Sequence, residues 1–332
     1  MMDTVLDQFL RDGGHHPVLI DVGASGASPG LWQPIAKHAV HVAFDPDLRE
    51  MKQQSDGQWY RSTILNEAIT PDPNSNEVRF NLTRSPYCSS VLTPDKTLVS
   101  NFFEAERFDV LQQTTARATT LDNVLKRLSL DHIDWLKLDT QGTDLRLYNS
   151  ISPDVRATML AVDLEPGLRG AYVGEDLFGD VHRDLRRDGF WLANLRLDGF
   201  VRMRSATLES IGKAAPDLTR AEIEKAVRKV PGWVEVRYLR SLEWMASRQA
   251  SQRDYQLLWL FAMLDGQFGF ALDVCLQYEQ TFRPDKASAI MGSEPVQRIR
   301  STRAAQRQKD RVSLPRRVYR KLRGIAKKVL KS

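Results

Sequence analysis

The chain has little cysteine and no metal-type motif. Among 332 residues there are two cysteines, Cys88 and Cys275, and the six histidines share no regular spacing. Two cysteines cannot form the framework of a disulfide-rich domain, and no Cys/His group has zinc-site spacing. Residues 1–10 hold two Asp residues and no apolar core of signal-peptide length. These absences argue against disulfide scaffolds, zinc modules and cleaved export signals, and we expect a cytoplasmic location.

Long apolar runs are also lacking. The two most apolar stretches, 257–264 and 268–276, are interrupted by Asp265-Gly266 and by Asp273. A membrane-spanning helix needs about 20 mostly apolar residues, and each central Asp would cost about 2.5–3.5 kcal/mol. The pattern therefore predicts a helical hairpin that either packs on the rest of the fold or forms a homodimer face.

The positive charge is concentrated at the end of the chain. Residues 283–332 hold 16 of the 47 Lys and Arg residues but 3 of the 42 Asp and Glu residues, so the remainder is acidic. In 316–330, Val318, Leu322, Ile325 and Val329 have the spacing of one helix face surrounded by basic residues. Such a helix binds an anionic membrane surface, and a disordered basic tail is the alternative. Nucleic-acid binding is disfavoured because no aromatic residues interleave the charges in the pattern of a base-stacking groove.

A short apolar run, 18–22, leads into a turn that contains Gly23 and Gly26. The pattern predicts a buried parallel strand followed by a tight loop, and ligands of open α/β sheets bind outside such strand ends. The next apolar run, 40–44, ends at Asp45, which follows Gly26 at about the distance that separates a nucleotide-binding turn from its ribose-binding carboxylate.

The loop lacks the further glycines that a dinucleotide requires. Ser25 and Ser28 occupy the positions at which glycine lets the backbone approach a pyrophosphate. S-adenosylmethionine has a ribose but no phosphate, so the loop favours this methyl donor over a nicotinamide cofactor. The alternative interpretation is an ordinary strand–loop–strand whose Gly and Asp serve the turn alone.

Alternating strand and helix patterns continue along the chain. Helices are predicted at 4–10, 31–38, 121–128, 145–151 and 178–187, and further strands at 62–69, 78–82, 133–138, 159–164, 190–194 and, as an antiparallel edge strand, 234–239. This succession predicts an α/β fold with a doubly wound, mostly parallel, Rossmann-like sheet. We predict three parts: a domain over 1–240, a helical extension over 241–282 and the basic tail over 283–332.

Three of the predicted strands end in a carboxylate: Asp45, Asp139 and Glu165. Because the carboxyl ends of parallel strands meet at one edge of a sheet, we expect these side chains near the glycine turn. A cationic sulfonium, ribose hydroxyls and an acceptor hydroxyl are ligands that need such acceptors.

Several motifs in order resemble the FkbM-type S-adenosylmethionine-dependent methyltransferases. They are Asp21-Val-Gly-Ala24, Ala43-Phe-Asp-Pro46, Asn66-Glu-Ala-Ile69, Tyr87-Cys-Ser-Ser90, Thr120-Leu-Asp-Asn123, Trp135-Leu-Lys-Leu-Asp-Thr-Gln-Gly-Thr-Asp-Leu145 and Glu165-Pro-Gly-Leu-Arg-Gly-Ala-Tyr172. The resemblance spans roughly residues 15–200 and departs from the family at Asp45, where Glu is usual, at Gln141, where an acidic residue is often found, and at Asp144, where Glu is common.

The resemblance implies a class I methyltransferase fold and O-methyl transfer to a sugar, glycan or glycolipid-type hydroxyl. It implies cofactor contacts from Asp21, Gly23, Ala24, Gly26, Asp45 and Glu67, catalytic roles for Asp139 and Glu165, and substrate contacts from Gln141 and Tyr172. No metal ligands are assigned, and a requirement for a divalent metal is left open. The rival hypothesis is a non-catalytic binding or scaffold protein that keeps the fold and uses its basic, membrane-associating tail.

Overall fold

The computed structural model describes residues 2–24, 28–47, 49, 58–304 and 307. Two parts of the predictions lie outside these residues: Gly26 of the glycine turn, and the amphipathic segment 316–330 together with most of the basic tail. Of the tail, residues 286–304 are helical.

Within the described residues, ten strands form two sheets. In chain order they are β1 (Val18–Val22), β2 (Val40–Phe44), β3 (Arg61–Leu65), β4 (Ala68–Ile69), β5 (Glu77–Thr83), β6 (Val110–Thr119), β7 (Trp135–Leu138), β8 (Ala161–Leu164), β9 (Phe190–Val201) and β10 (Lys229–Arg240). The main sheet has seven strands in the order β3-β2-β1-β7-β8-β10-β9, and the second has the order β4-β6-β5. In the main sheet β10 is antiparallel to both of its neighbours, whereas the pairs from β3 to β8 are parallel.

Within the described residues, eleven α-helices up to Thr281 connect or cover the strands, and a further helix spans 286–304. The eleven are α1 (Met2–Gly13), α2 (Lys96–Val99), α3 (Leu121–Leu128), α4 (Asp144–Ser150), α5 (Pro153–Arg156), α6 (Phe178–Arg187), α7 (Ser205–Ala214), α8 (Arg220–Ala226), α9 (Leu242–Ser247), α10 (Gln252–Leu264) and α11 (Phe268–Thr281). Three 3₁₀ segments lie at Gly30–His38, Pro86–Cys88 and Ala105–Phe108. The predicted helix 31–38 is therefore a 3₁₀ helix, with Pro34 inside it.

Successive strand residues point to opposite faces of the main sheet, and each face has its own core. On one face, Leu19, Trp135 and Leu239 pack against helices α1, α10 and α11. On the other, Ile20, Leu136 and further strand residues pack against α3, α4 and α6. This confirms the predicted doubly wound α/β architecture. The order of its first five strands is that of the nucleotide-binding doubly wound sheet, with a switch point between β1 and β7.

The predicted helical hairpin is α10–α11, and it packs on the sheet. Ser251 begins α10 with a capping box that it shares with Asp254. The residues of α10 from Tyr255 to Leu264 are all buried, because α11 and the sheet cover them. No helix in the described ranges has the length and hydrophobicity needed to cross a bilayer.

Two predicted strands differ in the structure. The strand 62–69 is interrupted at Asn66-Glu67, where the chain leaves β3 of the main sheet and enters β4 of the second sheet. The strand 234–239 is antiparallel as predicted, but it is not an edge strand: β10 lies between β8 and β9. The sequence did not predict β6, whose residues are mostly polar, or the helices between β9 and β10.

Arg240 at the end of β10 is buried at 2% exposure and joins three segments. Its Nε donates a hydrogen bond to the Met159 carbonyl at 2.8 Å, Nη2 donates to the Arg156 carbonyl at 2.5 Å, and Nη1 donates to the Asp188 carbonyl. The guanidinium also lies 3.7 Å from the ring centroid of Phe190. One side chain thus satisfies carbonyls from α5, from the segment before β8 and from the end of α6.

Replacing Arg240 by Met should lower the free energy of unfolding by about 3 kcal/mol, because buried carbonyls lose their donors. Arg248→Met is the matched control, since Arg248 is exposed and its guanidinium lies over the Trp244 ring. Urea denaturation of the two variants measures the difference. A loss below about 1 kcal/mol for Arg240→Met would contradict this role.

Candidate active site at the carboxyl ends of the parallel strands

A cavity of about 360 Å³ opens at the carboxyl ends of β1, β2, β7 and β8. This is the switch-point edge of the sheet, and the volume lies within the range of small-molecule sites. The structure brings seven of the residues singled out from the sequence to the wall of this cavity: Gly23, Asp45, Glu67, Asp139, Gln141, Glu165 and Tyr172.

Gly23 lies where β1 and β7 approach most closely. Its φ is +82°, and a Cβ atom at this position would lie 1.9 Å from the Asp139 carbonyl oxygen. The N–H groups of Gly23 and Ala24 both donate to the Phe44 carbonyl at 2.9 Å. The turn after β1 therefore requires glycine, and its backbone is joined to the end of β2.

Two residues predicted to contact the cofactor do not line the cavity. Asp21 is inside β1 at 1% exposure, and its carboxylate accepts a hydrogen bond from Lys137 Nζ at 2.7 Å. This pair raises the pKa of Lys137, although burial opposes the shift. Ala24 is buried beside the turn. The structure thus gives Asp21 a structural partner on β7, and Gly26 lies outside the described residues.

Asp45 begins the loop after β2 and is held by its own turn. Its Oδ1 accepts from the Asp47 N–H at 2.7 Å, and its carbonyl accepts from Asn66 Nδ2 at 2.8 Å. Its Oδ2 accepts no hydrogen bond from the described residues. Burial, with the neighbouring carboxylates of Asp47 and Asp139, raises the pKa of Asp45 to about 6. The Oδ2 oxygen is therefore open to a ligand in the cavity.

Glu67 is less available to a ligand than the sequence suggested. Both of its carboxylate oxygens accept hydrogen bonds from the Arg127 guanidinium of α3, at 2.7 and 3.2 Å. Glu67 still lines the cavity, but its charge is already balanced.

Asp139, Gln141 and Tyr172 form one hydrogen-bonded chain. Gln141 Nε2 donates to Asp139 Oδ1 at 2.8 Å, and Gln141 Oε1 lies 3.3 Å from the Tyr172 hydroxyl, which donates to the Cys88 carbonyl at 2.8 Å. The backbone of Gln141 is left-handed, with φ +55°, and its carbonyl accepts from Ser90 Oγ. The two predicted substrate residues therefore also orient the predicted catalytic carboxylate.

Glu165 is partly buried among other carboxylates and lies beside Asp144. Its N–H donates to Asp144 Oδ2 at 2.9 Å, while Asp144 Oδ1 accepts from the N–H and hydroxyl of Thr140. Burial and the nearby carboxylates of Asp139 and Asp144 raise the pKa of Glu165 to about 9. The raised pKa favours the protonated form of Glu165, whose carboxyl group can then donate a hydrogen bond.

Sequence reasoning missed Glu175 and the aromatic residues at the outer end of the cavity. The Glu175 carboxylate accepts from the N–H groups of Ala171 and Tyr172 and folds the loop around itself. Burial raises its pKa. The aromatic residues Phe102, Phe108, Phe200 and Trp233 come from segments that are far apart in the chain. Nothing in a local pattern marks such residues, because their proximity arises from tertiary folding.

In the described part of the chain, no group of three or more His, Cys, Asp or Glu side chains is arranged to hold a metal ion.

The raised pKa of Glu165 predicts a pH dependence of stability. Between its ordinary value of 4.5 and about 9, only the folded state holds this proton, so stability should fall as pH rises through that interval. The slope from this group is at most about 1.4 kcal/mol per pH unit. Urea denaturation from pH 5 to pH 9 should show a weaker decline for Glu165→Gln than for the wild type.

The exposed Glu209→Gln serves as the control for this measurement and should follow the wild-type curve. Parallel curves for the wild type and Glu165→Gln would refute the proton assignment.

In comparisons with known proteins, no protein-family profile matches the chain, and no curated protein matches it significantly. Among solved structures, it is similar to magnesium protoporphyrin IX methyltransferase (ChlM) from Synechocystis PCC 6803, determined with bound SAM. The sequence identity is 12%, the match covers 72% of this chain and 78% of that one, and the TM-score is 0.31. A likeness at this level carries no inference about cofactor or acceptor.

Proposed function

We propose that the protein is an S-adenosylmethionine-dependent methyltransferase that acts on a hydroxyl of a sugar, glycan or glycolipid-type acceptor. One observation carries the proposal: Asp45, Asp139 and Glu165, from three parallel strands, meet around the Gly23 turn at the switch point of the sheet. The resemblance to FkbM-type enzymes supports the same activity and is the basis for the choice of acceptor.

The electrostatics of the cavity favour a cationic, phosphate-free cofactor. The carboxylates of Asp45, Asp139 and Glu165 are close enough for Asp139 to raise the pKa values of the other two. A pyrophosphate would add negative charge to this cluster, whereas a sulfonium would relieve the repulsion. Asp45, with one unpaired oxygen, suits the ribose hydroxyls. These arguments disfavour a nicotinamide cofactor.

The residues beyond the cofactor region fit methyl transfer to oxygen. When bound, S-adenosylmethionine supplies a methyl group activated by a positively charged sulfur. Asp139 can accept the proton of the acceptor hydroxyl, and the amide of Gln141 fixes the orientation of that carboxylate. Glu165, which keeps its proton, can donate a hydrogen bond to a second acceptor oxygen. Alignment of the two reactants supplies most of the acceleration in such a displacement.

The rival function is a non-catalytic protein that keeps the fold, and cofactor turnover separates the two. The predicted cytoplasmic location and the membrane contact of the basic tail stay predictions.

Asp45→Asn should weaken binding of S-adenosylmethionine by about 1.5–3 kcal/mol, because hydrogen bonds to a charged acceptor are lost. Isothermal titration calorimetry with S-adenosylmethionine, S-adenosylhomocysteine and NAD measures this directly. Wild-type protein should bind the first two and not NAD. Asp154→Asn on α5, which is exposed, is the matched control. NAD binding, or equal affinity of Asp45→Asn and wild type, would contradict the cofactor assignment.

Asp139→Asn should reduce methyl transfer by at least about 100-fold, the contribution expected of a positioned base. Its affinity for S-adenosylmethionine should stay within about threefold of wild type, because Asn keeps the shape and the hydrogen bond with Gln141. Transfer of radiolabelled methyl to a panel of alkyl and aryl glycosides gives the rate. A parallel loss of cofactor binding and transfer would identify Asp139 as a cofactor residue instead.

A further inference from the structure

The outer end of the cavity is an aromatic wall formed by Phe102, Phe108, Phe200 and Trp233. The ring centroid of Phe200 lies 5.0 Å from that of Phe102, 5.9 Å from that of Phe108 and 4.8 Å from that of Trp233. Tyr172 joins the cluster at 5.8 Å from Phe108. Phe200 and Trp233 are only partly buried, and all of these rings line the cavity. The wall offers apolar faces on which a flat or apolar ligand group can stack.

Three segments build this wall and are held to one another by hydrogen bonds. The Tyr172 hydroxyl donates to the Cys88 carbonyl, and the Asp95 N–H donates to the Ala171 carbonyl at 2.9 Å. The β9–β10 hairpin is joined through the Phe103 N–H, which donates to the Val201 carbonyl at 2.9 Å. The wall is therefore a fixed part of the fold and not a chance grouping of surface rings.

Two arginines, Arg107 and Arg169, line the same cavity. Arg107 follows the loop that carries Cys88 and Phe102, and Arg169 precedes Tyr172. Both are exposed, and within the described ranges neither guanidinium lies at ion-pair distance from a carboxylate or donates a hydrogen bond, although the charge of Arg107 also acts on Glu104. Guanidinium groups recognise phosphate and carboxylate in paired hydrogen bonds, and they also stack on aromatic rings.

Acidic and basic side chains lie on different segments of the cavity wall. Asp45 and Asp139 follow strand ends, whereas Arg107 and Arg169 lie on the loops that carry the aromatic wall, where the Glu175 carboxylate is already bonded to the N–H groups of Ala171 and Tyr172. An acceptor with an anionic group would be repelled from the carboxylates and attracted to the arginines. This separation of charge would orient an acceptor with its hydroxyl towards Asp139 and its anionic group away from Asp139.

We propose that the acceptor is an anionic amphiphile: a hydroxylated molecule with an apolar group against the aromatic wall and a phosphate or carboxylate that pairs with Arg107 and Arg169. This inference rests on the proposed function and adds the chemical class of the acceptor to it.

The test uses the full chain, with and without saturating S-adenosylhomocysteine, and three probes: phenyl phosphate, phenyl β-D-glucopyranoside and inorganic phosphate. Calorimetry should show that phenyl phosphate binds at least about tenfold more tightly than either of the others, since it alone uses both rings and arginines. Arg107→Gln and Arg169→Gln should each lower the affinity for phenyl phosphate at least about fivefold. Phe200→Leu should lower the affinity for the two phenyl probes and leave the affinity for inorganic phosphate unchanged.

Arg186→Gln on the exposed face of α6 is the matched control and should bind every probe as the wild type does. All variants should keep the wild-type affinity for S-adenosylmethionine. If phenyl phosphate binds no better than the neutral glucoside, or if both cavity arginines can be replaced without effect, this inference is overturned and the proposed function stands. If wild-type protein binds neither S-adenosylmethionine nor S-adenosylhomocysteine, both are overturned.

Discussion

The close approach of β1 and β7 is the constraint on which the site depends. The Asp139 N–H donates to the Val22 carbonyl at 2.9 Å, and the Asp139 carbonyl lies where a side chain at Gly23 would begin. Only glycine fits at this point, and its left-handed φ turns the chain towards the end of β2. With this turn in place, the residues that follow β1, β2, β7 and β8 face a common cavity. The sheet register, and not any single loop, thus determines which carboxylates meet.

The proximity of these carboxylates costs free energy. Asp45, Asp144 and Glu165 all have raised pKa values, because each is buried near other carboxylates. Elsewhere the fold pairs its buried acids: Asp134 with Arg253, Asp163 with Arg237. At this sheet edge Lys137 and Arg196 lower the pKa of Glu165, but burial and the neighbouring carboxylates of Asp139 and Asp144 raise it by more. Departures from the pairing rule of this kind are expected at functional sites.

Local sequence patterns predicted much of the main sheet, whereas the features that they did not predict depend on tertiary contacts. The strands β1 and β2 were predicted because short apolar runs end at Gly23 and Asp45, and helix α6 was predicted because its pattern stops at Gly189. The split of 62–69 between two sheets was not predictable, since Asn66 turns the chain by bonding to the distant Asp45 carbonyl. The interior place of β10 was missed because a strand with a covered and a half-covered face alternates as an edge strand does. The acidic residues that follow strand ends could be predicted from the sequence, whereas the aromatic wall and Arg107 could not.

Gln141 fits this structure better than an acidic residue would. Its amide donates to Asp139 while its oxygen faces the Tyr172 hydroxyl. A carboxylate could not donate to Asp139, and it would add a negative charge beside a residue that already raises the pKa of Glu165. The amide thus orients the Asp139 carboxylate, and it lies beside the Tyr172 hydroxyl, which donates to the Cys88 carbonyl. The same neutral side chain therefore connects Asp139 with the loop that carries Arg169 and Tyr172.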